Sequence, residues 1–407
     1  MKHLTLILTI YLITINCKSQ DTIVDYLKAV QQDFRTQERV FTDNVINNYD
    51  IVFIGEAHGF KDNSEIAYKL IKEYKELTDF TFLLGETDLA AADLLNSYLL
   101  SEDTIRLKQY VEDAKGTPAW NKENYEFYKN IIELNKNHNN KIQFLGIDIP
   151  AAGIDYTAQR IISIMSKYDE SDSLMSSLVN VKVPTKQSIK HIKQMLEDSA
   201  KKNYSSVDLF EYKYHLNNII QYHYAIQSNT DLEWDNRRDS CLYENYMKLD
   251  NQFALQNKKM IGVWGYEHTL QSTSLGVNYL ASRLRKDALK KVYTYRIFYF
   301  DSESMFPATW LPWYLKIFKS KKKLYYNTKL QNDDISVAGY KPHATTLRDL
   351  SPEHSITIYN LTEEGSPFKY KPLLVTDNDL VGTTNFFQSA IVVRNSLPAE
   401  PFGENRK

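Results

Sequence analysis

The sequence predicts an α/β fold: a mainly parallel sheet flanked by helices, with a large helical insertion. Short apolar runs without alternation recur along the chain, separated by stretches of helical periodicity. Such runs are typical of parallel strands that are buried on both faces. The 407 residues include only 13 Gly and 11 Pro, which favours long helices over a turn-rich β architecture.

The first part of the chain alternates strands and helices, beginning with helical spacing shortly after Asp21. The predicted strands are Ile51–Ile54, Phe80–Leu84 and Ile142–Leu145. The predicted helices between them are Asn63–Leu77, Leu89–Leu100 and Tyr125–Asn135. This alternation indicates successive parallel strands joined by helical crossovers.

The second part begins with a helical stretch, residues 157–257, in which apolar residues recur at intervals of three and four. We interpret this stretch as an insertion or cap within one domain that spans residues 21–407. Strand Met260–Trp264, helix Leu275–Leu284 and strand Val292–Phe300 resume the alternation. Short β-like runs follow at Ser355–Tyr359, Leu373–Val375 and Ala390–Val393.

Residues 1–20 are predicted to be a signal peptide, because a basic start precedes an apolar run from Leu4 to Ile15 that is short for a membrane span. Cleavage before Cys17 would leave a lipidated cysteine, cleavage near Ser19 or Gln20 would release a soluble protein, and an uncleaved anchor is a third alternative. The protein is therefore expected to be exported, either periplasmic or secreted, or lipid-anchored to the cell envelope.

Composition excludes several classes of protein. Lys+Arg total 49 against 51 Asp+Glu, a formal net charge of −2, so the chain lacks the basic excess of a duplex nucleic-acid binder. Cys17 and Cys241 are the two cysteines, too few for a disulfide framework. Cys241 falls in a helical stretch, and we interpret it as a small buried hydrophobe. Composition leaves the oligomeric state open.

The ends of four predicted strands share a pattern of glycine followed by acids or histidine. The four segments read IVFIGEAH, FTFLLGET, IQFLGID and MIGVWGYEH. Parallel strands place their carboxyl ends at one edge of the sheet, where ligands bind, and glycine there lets a ligand approach the backbone closely. The side chains that we expect to lie together at this edge of the sheet are Glu56, His58, Glu86, Asp148, Glu267 and His268.

Two chemistries fit this set of residues, since G-x-S-x-G, H-E-x-x-H, P-loop and G-x-G-x-x-G motifs are all absent. In the first, His58 takes a proton from water, a carboxylate orients its other nitrogen, and His268 or an arginine stabilises the oxyanion. In the second, a divalent metal is bound by Glu56, His58, Glu86 and His268.

Further segments carry a resemblance to a known family. GEAHG, LGETDLAAADLLNSYL, the Trp120 stretch, IQFLGID, WDNRRDSCLYEN, WGYEH and FFQSAIVVRNSLPAEP follow one another in family order. Together they resemble the erythromycin esterase family over roughly residues 40 to 400, and the R-D-x-x-[LM]-x-x-N text that begins at Arg238 is the most specific match. The resemblance implies an α/β core with a helical insertion, and a cleft where a histidine activates water to open an ester.

Site residues carried over from this resemblance, together with the strand-end pattern, fall into two groups. The catalytic group is Glu56, His58, Glu86 and His268. The group expected to contact a small-molecule substrate is Arg238, Asp148, Glu267 and Trp120. Two alternatives to these roles are that Arg238 forms ion pairs within its own helix and that Asp148 caps the helix that follows it.

The sequence departs from the family at two positions. The family usually has two residues between the first-strand Glu and His, whereas only Ala57 separates Glu56 from His58, a spacing that resembles the related ChaN-like haem-binding proteins. The family's fourth strand is usually followed by two histidines, whereas this motif has the single His268. These departures argue against macrolide esterase activity and favour another ester, lactone or amide. The alternatives are a non-catalytic haem- or metal-binding lipoprotein and a metal-dependent hydrolase.

Segment 306–323, FPATWLPWYLKIFKSKKK, combines two tryptophans and several aliphatic residues with a Lys-rich end. This pattern suits a membrane-interface element or a lid over the cleft. An ordinary packed loop and helix with solvated lysines is the alternative.

Overall fold

The computed structural model describes residues 22–311, 322–333, 343–373 and 381–405. The predicted signal peptide, including Cys17, lies outside these ranges, as do most of segment 306–323 and the end of the run Leu373–Val375.

The main sheet has eight strands in the order β1-β9-β10-β6-β2-β5-β3-β4. Its strands are β1 (Gln31–Asp33), β2 (Ile51–Glu56), β3 (Phe82–Gly85), β4 (Gln143–Gly146), β5 (Met260–Gly265), β6 (Val292–Phe300), β9 (Ile356–Asn360) and β10 (Ser389–Arg394). A separate antiparallel pair is formed by β7 (Ser304–Pro307) and β8 (Tyr325–Thr328). The six strands from β10 to β4 are mutually parallel, whereas β9 runs antiparallel to β1 and β10, so the predicted fold class is confirmed.

Helices surround this sheet. They are α1 (residues 22–30), α2 (Asp43–Asn48), α3 (Asn63–Thr78), α4 (Leu89–Ser101), α5 (Thr104–Asp113), α6 (Lys122–Lys136), α7 (Asp155–Ser166), α8 (Ser173–Ser177), α9 (Lys186–Asp198), α10 (Ser206–Ala225), α11 (Asp231–Phe253), α12 (Leu280–Lys286) and α13 (His343–Leu350). Helices α7 to α11 fill the stretch between β4 and β5. None of the helices in the described ranges is both long and apolar enough to cross a membrane.

Helix α12 begins five residues later than the predicted start at Leu275. The backbone is left-handed at Leu275 (φ 50°) and at Gly276 (φ 78°), and Ser274 pairs with Val277 across this turn. A left-handed residue cannot continue a right-handed helix, so the turn delays the helix to Leu280.

The strands separate two apolar layers because successive side chains point to opposite faces. Val52 and Ile54 of β2 pack with residues of α3 and α6 in one buried cluster. Ile51 and Phe53 pack with residues of α11 and α12 in another. Helices therefore cover both faces of the sheet, which leaves its carboxyl edge as the place where polar side chains can gather.

The carboxyl ends of the central strands lie level with one another. Glu56 pairs with Gly265 across β2 and β5, and Gly85 pairs with Gly146 across β3 and β4. The residues that follow these strands therefore leave the sheet along one edge.

Two strand-end glycines are needed for close packing within the protein. A Cβ at Gly146 would lie 2.3 Å from the carbonyl oxygen of Asp88, and one at Gly55 would lie 2.5 Å from Oγ1 of Thr269. The close approach that was expected from a ligand is thus made here by the chain's own loops, which hold the polar edge in place.

Candidate active site

His58, two residues beyond the end of β2, is the most exposed of the polar side chains that meet at this edge. Its Nδ1 lies 3.0 Å from Oε1 of Glu56, and its Nε2 lies 4.0 Å from Oε2 of Glu86. A carboxylate only accepts hydrogen bonds, so Nδ1 of His58 donates to Glu56 and Nε2 faces Glu86. The His58 side chain is 32% exposed, which leaves this nitrogen within reach of a bound molecule.

The charge of His58 is set by the two carboxylates. Burial opposes protonation, but the hydrogen bond to Glu56 and the charge of Glu86 outweigh it and raise the pKa of His58 to about 9. His58 is therefore an imidazolium at neutral pH, and its neutral form becomes the major one only in alkaline solution.

Glu86 lies between the elements of the site, directly after β3. Its Oε2 accepts from the backbone N–H of Gly265 at 2.7 Å, and its Oε1 accepts from Nη2 of Arg238 at 2.9 Å. Burial would raise the pKa of Glu86, but Arg238 and the two histidines lower it to about 2. Glu86 is thus a fixed negative charge over the whole physiological range.

Arg238 of α11 connects the helical insertion to the sheet edge. Its Nε donates to Oδ1 of Asp148 at 3.1 Å, its Nη2 donates to Oδ2 of Asp148 as well as to Glu86, and its Nη1 donates to Nε2 of His268 at 3.1 Å. Arg238 therefore pairs across the fold, whereas its neighbour Arg237 forms an ion pair within the helix, with Glu233.

Asp148, which follows β4, is held by backbone groups as well as by Arg238. Its Oδ1 accepts from the N–H of Ile149 at 2.7 Å, and its carbonyl oxygen accepts from Nδ2 of Asn218 at 2.9 Å. The next helix, α7, begins only at Asp155, so Asp148 does not cap it. Its side chain is 3% exposed, so its part in the site is to hold Arg238.

His268 lies in a 3-10 turn, Tyr266–Thr269, directly after β5. Its Nδ1 is 2.9 Å from both carboxylate oxygens of Asp239, and its Nε2 is 3.7 Å from Oε1 of Glu86. Burial lowers the pKa of His268, but the Asp239 carboxylate outweighs this effect and the pKa is raised. Sequence reasoning gave Asp239 no role, and its only signal was its place beside Arg238 in the R-D motif.

Glu267, one of the predicted substrate contacts, is exposed at the surface. Its Oε1 accepts from the Tyr266 hydroxyl at 3.4 Å. The Tyr266 ring packs against the guanidinium of Arg296, whose Cζ lies 3.7 Å from the ring centroid. Tyr266 and Glu267, which precede His268 in the fourth-strand motif, thus contact Arg296 and each other.

Trp120 does not join the other predicted site residues. It is 1% exposed and belongs to a small apolar cluster with Met305, Tyr325 and Ala399. Its indole Nε1 donates to Glu112 at 3.0 Å, and its ring stacks on that of Tyr325. The structure places Trp120 in a core, where it supports the loop before α6 and contacts no other predicted site residue.

One histidine, one glutamate and one aspartate of this edge surround a cation of the protein itself. The Arg238 guanidinium lies between His268, Glu86 and Asp148. Within the described ranges, no group of three or more His, Cys, Asp or Glu side chains is placed to hold a metal ion. In this structure the guanidinium thus occupies the position between these side chains.

Cys241 is an unsuitable nucleophile in this setting. Burial, followed by the charge of Glu244, raises the pKa of its thiol to about 12. Because the thiolate is the nucleophilic form, Cys241 is unreactive at neutral pH.

Comparisons with known proteins agree with this fold. Residues 44–231 match the family described as haem-binding uptake, Tiki superfamily, ChaN. A Bacillus cereus protein of known structure superposes with a TM-score of 0.68 at 16% identity, over 94% of this chain and 98% of that chain. No functionally curated protein matches the sequence.

Two further solved structures share the fold. A succinoglycan biosynthesis protein gives a TM-score of 0.63 at 15% identity, over 94% of this chain and 98% of that chain. A mutant of the erythromycin esterase EreC in its open conformation gives 0.62 at 14% identity, over 88% and 94%.

The mostly parallel sheet, the helices on both of its faces and these similarities define an α/β protein of erythromycin-esterase-like fold. The family match covers residues 44–231, somewhat less than half of the chain, so over that stretch the sequence is similar to the ChaN family, and the solved structures add a shared fold.

Proposed function

We propose that the protein is a hydrolase in which a histidine-activated water attacks the carbonyl of an ester, lactone or amide. One observation carries the proposal: two histidines are each held at Nδ1 by a carboxylate, and both direct Nε2 toward Glu86. The pairs are His58 with Glu56 and His268 with Asp239. Carboxylate-oriented imidazoles are the usual general acid–base groups of hydrolases.

His58 is the proposed base because its Nε2 is the more accessible of the two. The 4.0 Å between this nitrogen and Glu86 is too long for a direct hydrogen bond. Two hydrogen bonds of about 2.8 Å that meet near a right angle span about 4 Å, so one water can bridge both groups. Neutral His58 takes a proton from that water as it attacks, and Glu56 stabilises the imidazolium that forms. When the tetrahedral intermediate collapses, the bond to the leaving oxygen or nitrogen breaks and the imidazolium gives its proton to that atom.

Arg238 and His268 are proposed to stabilise the oxyanion. A guanidinium has five N–H donors, and the contacts to Asp148, Glu86 and His268 use four of them. The second N–H on Nη1 has no partner among the described residues and is proposed to donate to the carbonyl oxygen as it becomes negative. His268 holds Nη1 in this orientation.

The direct test is a panel of esters, lactones and amides incubated with the purified full-length protein, with and without divalent metal and chelator. The expected result is turnover of at least one class that the chelator leaves unchanged. Turnover that requires added metal would favour the metal-dependent alternative, and failure of the whole panel would contradict the proposal.

The pH profile is expected to reflect His58. Because its pKa is raised to about 9, the base is mostly protonated at neutral pH, and kcat/KM should rise with pH and level off above about 9. Glu56→Gln removes the charge that stabilises protonated His58. The rise of kcat/KM should therefore occur at lower pH in this variant. Initial rates between pH 6 and 10, corrected for spontaneous hydrolysis, give the measurement.

A matched control for Glu56→Gln is Glu126→Gln, which changes an exposed ion pair with Lys129. It should leave the pH dependence of kcat/KM unchanged. A profile that is flat across this range in the parent protein would contradict the role of His58 as base.

Haem binding is a second candidate, supported by the family match over residues 44–231. Haem needs an accessible axial ligand and apolar surface against its ring. The Nε2 of His58 is accessible, but the side chains around it are Glu56 and Glu86, with Arg238 beyond them. These charged side chains do not provide the apolar surface that a haem ring packs against.

Titration with haem, followed by the Soret band, separates the two candidates. The expected result is no saturable change that depends on His58. A saturable Soret shift that is lost in His58→Gln would support haem binding instead of hydrolysis.

Export of the protein remains part of the proposal, with a small molecule as its substrate and membrane association through a lipidated Cys17 or segment 306–323. The intact mass of the protein recovered from cell fractions distinguishes lipidation from simple cleavage. Binding of the mature protein to lipid vesicles tests the role of segment 306–323.

A further inference from the structure

The geometry points to Asp239 as the positioning residue that fixes the proton of His268 on Nδ1 and keeps Nε2 as an acceptor toward Arg238. This inference rests on the proposed hydrolase function for its kinetic consequence, whereas the protonation pattern itself does not depend on a substrate. Asp239 contacts neither water nor substrate in this scheme, so it acts only through His268.

The first step of the argument concerns the Nδ1 side of the imidazole. Both carboxylate oxygens of Asp239 lie 2.9 Å from Nδ1 of His268. Asp239 is 0% exposed, and its Oδ1 also accepts from the backbone N–H of Leu280 at 2.6 Å. A buried carboxylate that accepts from a backbone amide requires a hydrogen on the imidazole nitrogen that faces it.

The second step concerns the Nε2 side. Nη1 of Arg238 lies 3.1 Å from Nε2 of His268, and a guanidinium can only donate. Nε2 must therefore carry a lone pair to make this contact. Asp239 raises the pKa of His268, whereas burial and the Arg238 charge oppose the cation. Whenever the ring is neutral, one partner that can only accept and one that can only donate select the same tautomer from opposite sides.

The third step concerns the orientation of the ring. The His268 ring makes edge contacts with Trp264 and Tyr279, at centroid distances of 5.8 and 6.3 Å. Trp264 is in turn fixed by its indole N–H, which donates to the carbonyl oxygen of Leu84 at 3.0 Å. The aromatic neighbours hold the ring in place, and Asp239 decides which nitrogen carries the hydrogen.

The consequence is a continuous hydrogen-bonded chain from Asp239 through His268 and Arg238 to Glu86. The acceptor at Nε2 keeps Nη1 of Arg238 directed toward the site. With the hydrogen on Nε2 instead, two N–H groups would face each other and displace Nη1, although Asp148 and Glu86 would still hold the rest of the guanidinium. Asp239 therefore sets the position of the proposed oxyanion donor from a distance.

Asp239→Asn is the variant that tests this chain, since its side chain keeps nearly the same shape. Its Oδ1 can still accept from Leu280, so its NH₂ group faces Nδ1 of His268 and shifts the hydrogen to Nε2. We expect kcat to fall on the order of 10²-fold, with KM changed by less than about threefold. Asp231→Asn, an exposed change on the same helix, is the control and should leave both constants unchanged.

The tautomer can be read without any substrate from ¹⁵N chemical shifts of histidine-labelled protein, with His268 assigned by the signal missing in His268→Gln. We expect the hydrogen on Nδ1 in the parent protein and on Nε2 in Asp239→Asn. A hydrogen on Nε2 in the parent protein overturns the inference even if the variant fails to fold, and unchanged kcat in a folded variant with a switched tautomer overturns the kinetic role. If the expected tautomers are found but no substrate is turned over, the proposed function is contradicted and the inference about the tautomer stands.

Discussion

Replacing His58 with glutamine is expected to lower kcat/KM by about 10²- to 10⁴-fold, the range that a general base contributes. The glutamine amide can still donate to Glu56, but it cannot take a proton from water. Because the His58 imidazolium also supplies positive charge between Glu56 and Glu86, the variant should melt at a lower temperature than the parent protein at pH 7, and rates are compared where both are folded. Initial rates on the best panel substrate, together with thermal unfolding, give both quantities.

His138→Gln is the matched control for His58→Gln. His138 follows α6 and precedes β4, so it lies at the amino end of the strands, away from the candidate site. It should retain full activity. Equal rates for His58→Gln and the parent protein would remove His58 from the mechanism and leave His268 as the remaining imidazole of the site.

The fold and part of the site could be predicted because parallel strands have a strong local signal. Each buried strand is a short apolar run, and the residue after its last glycine must leave the sheet at the carboxyl edge. That rule alone placed Glu56, Glu86, Asp148 and His268 near one another, although more than two hundred residues separate the first from the last.

Contacts made by the helices could not be predicted in the same way. Whether Arg238 pairs within α11 or across to Asp148 depends on which face of the helix meets the sheet edge, and local spacing fits both. Asp239 is one residue further along the helix, and its burial follows only from how α11 and α12 pack together. Trp120 shows the opposite case, because a residue carried over by resemblance lies in a core.

Removal of the Arg238 side chain is expected to be the most destabilising change in the site. Arg238→Met keeps much of the apolar stem but leaves Asp148 and Glu86 without their cation. Breaking a buried pair by removing one partner costs about 3–5 kcal/mol, because the remaining charge stays out of water. Arg237→Met on the same helix removes an exposed ion pair with Glu233 and should cost about 1 kcal/mol or less.

The pH dependence of this loss identifies its electrostatic origin. In the parent protein, the pKa of Glu86 is lowered to about 2, so its stabilising contribution is complete above the pKa of an unfolded glutamate and is lost as pH falls toward 2. Without Arg238, the pKa of Glu86 should rise, and acid should protonate this buried carboxylate at little cost. The free energy of unfolding, measured by urea titration at pH 7 and pH 4, should therefore differ less between parent and variant at pH 4. A difference that is the same at both pH values would instead mean that the lost packing of the Arg238 stem, rather than charge, holds the helical insertion to the sheet.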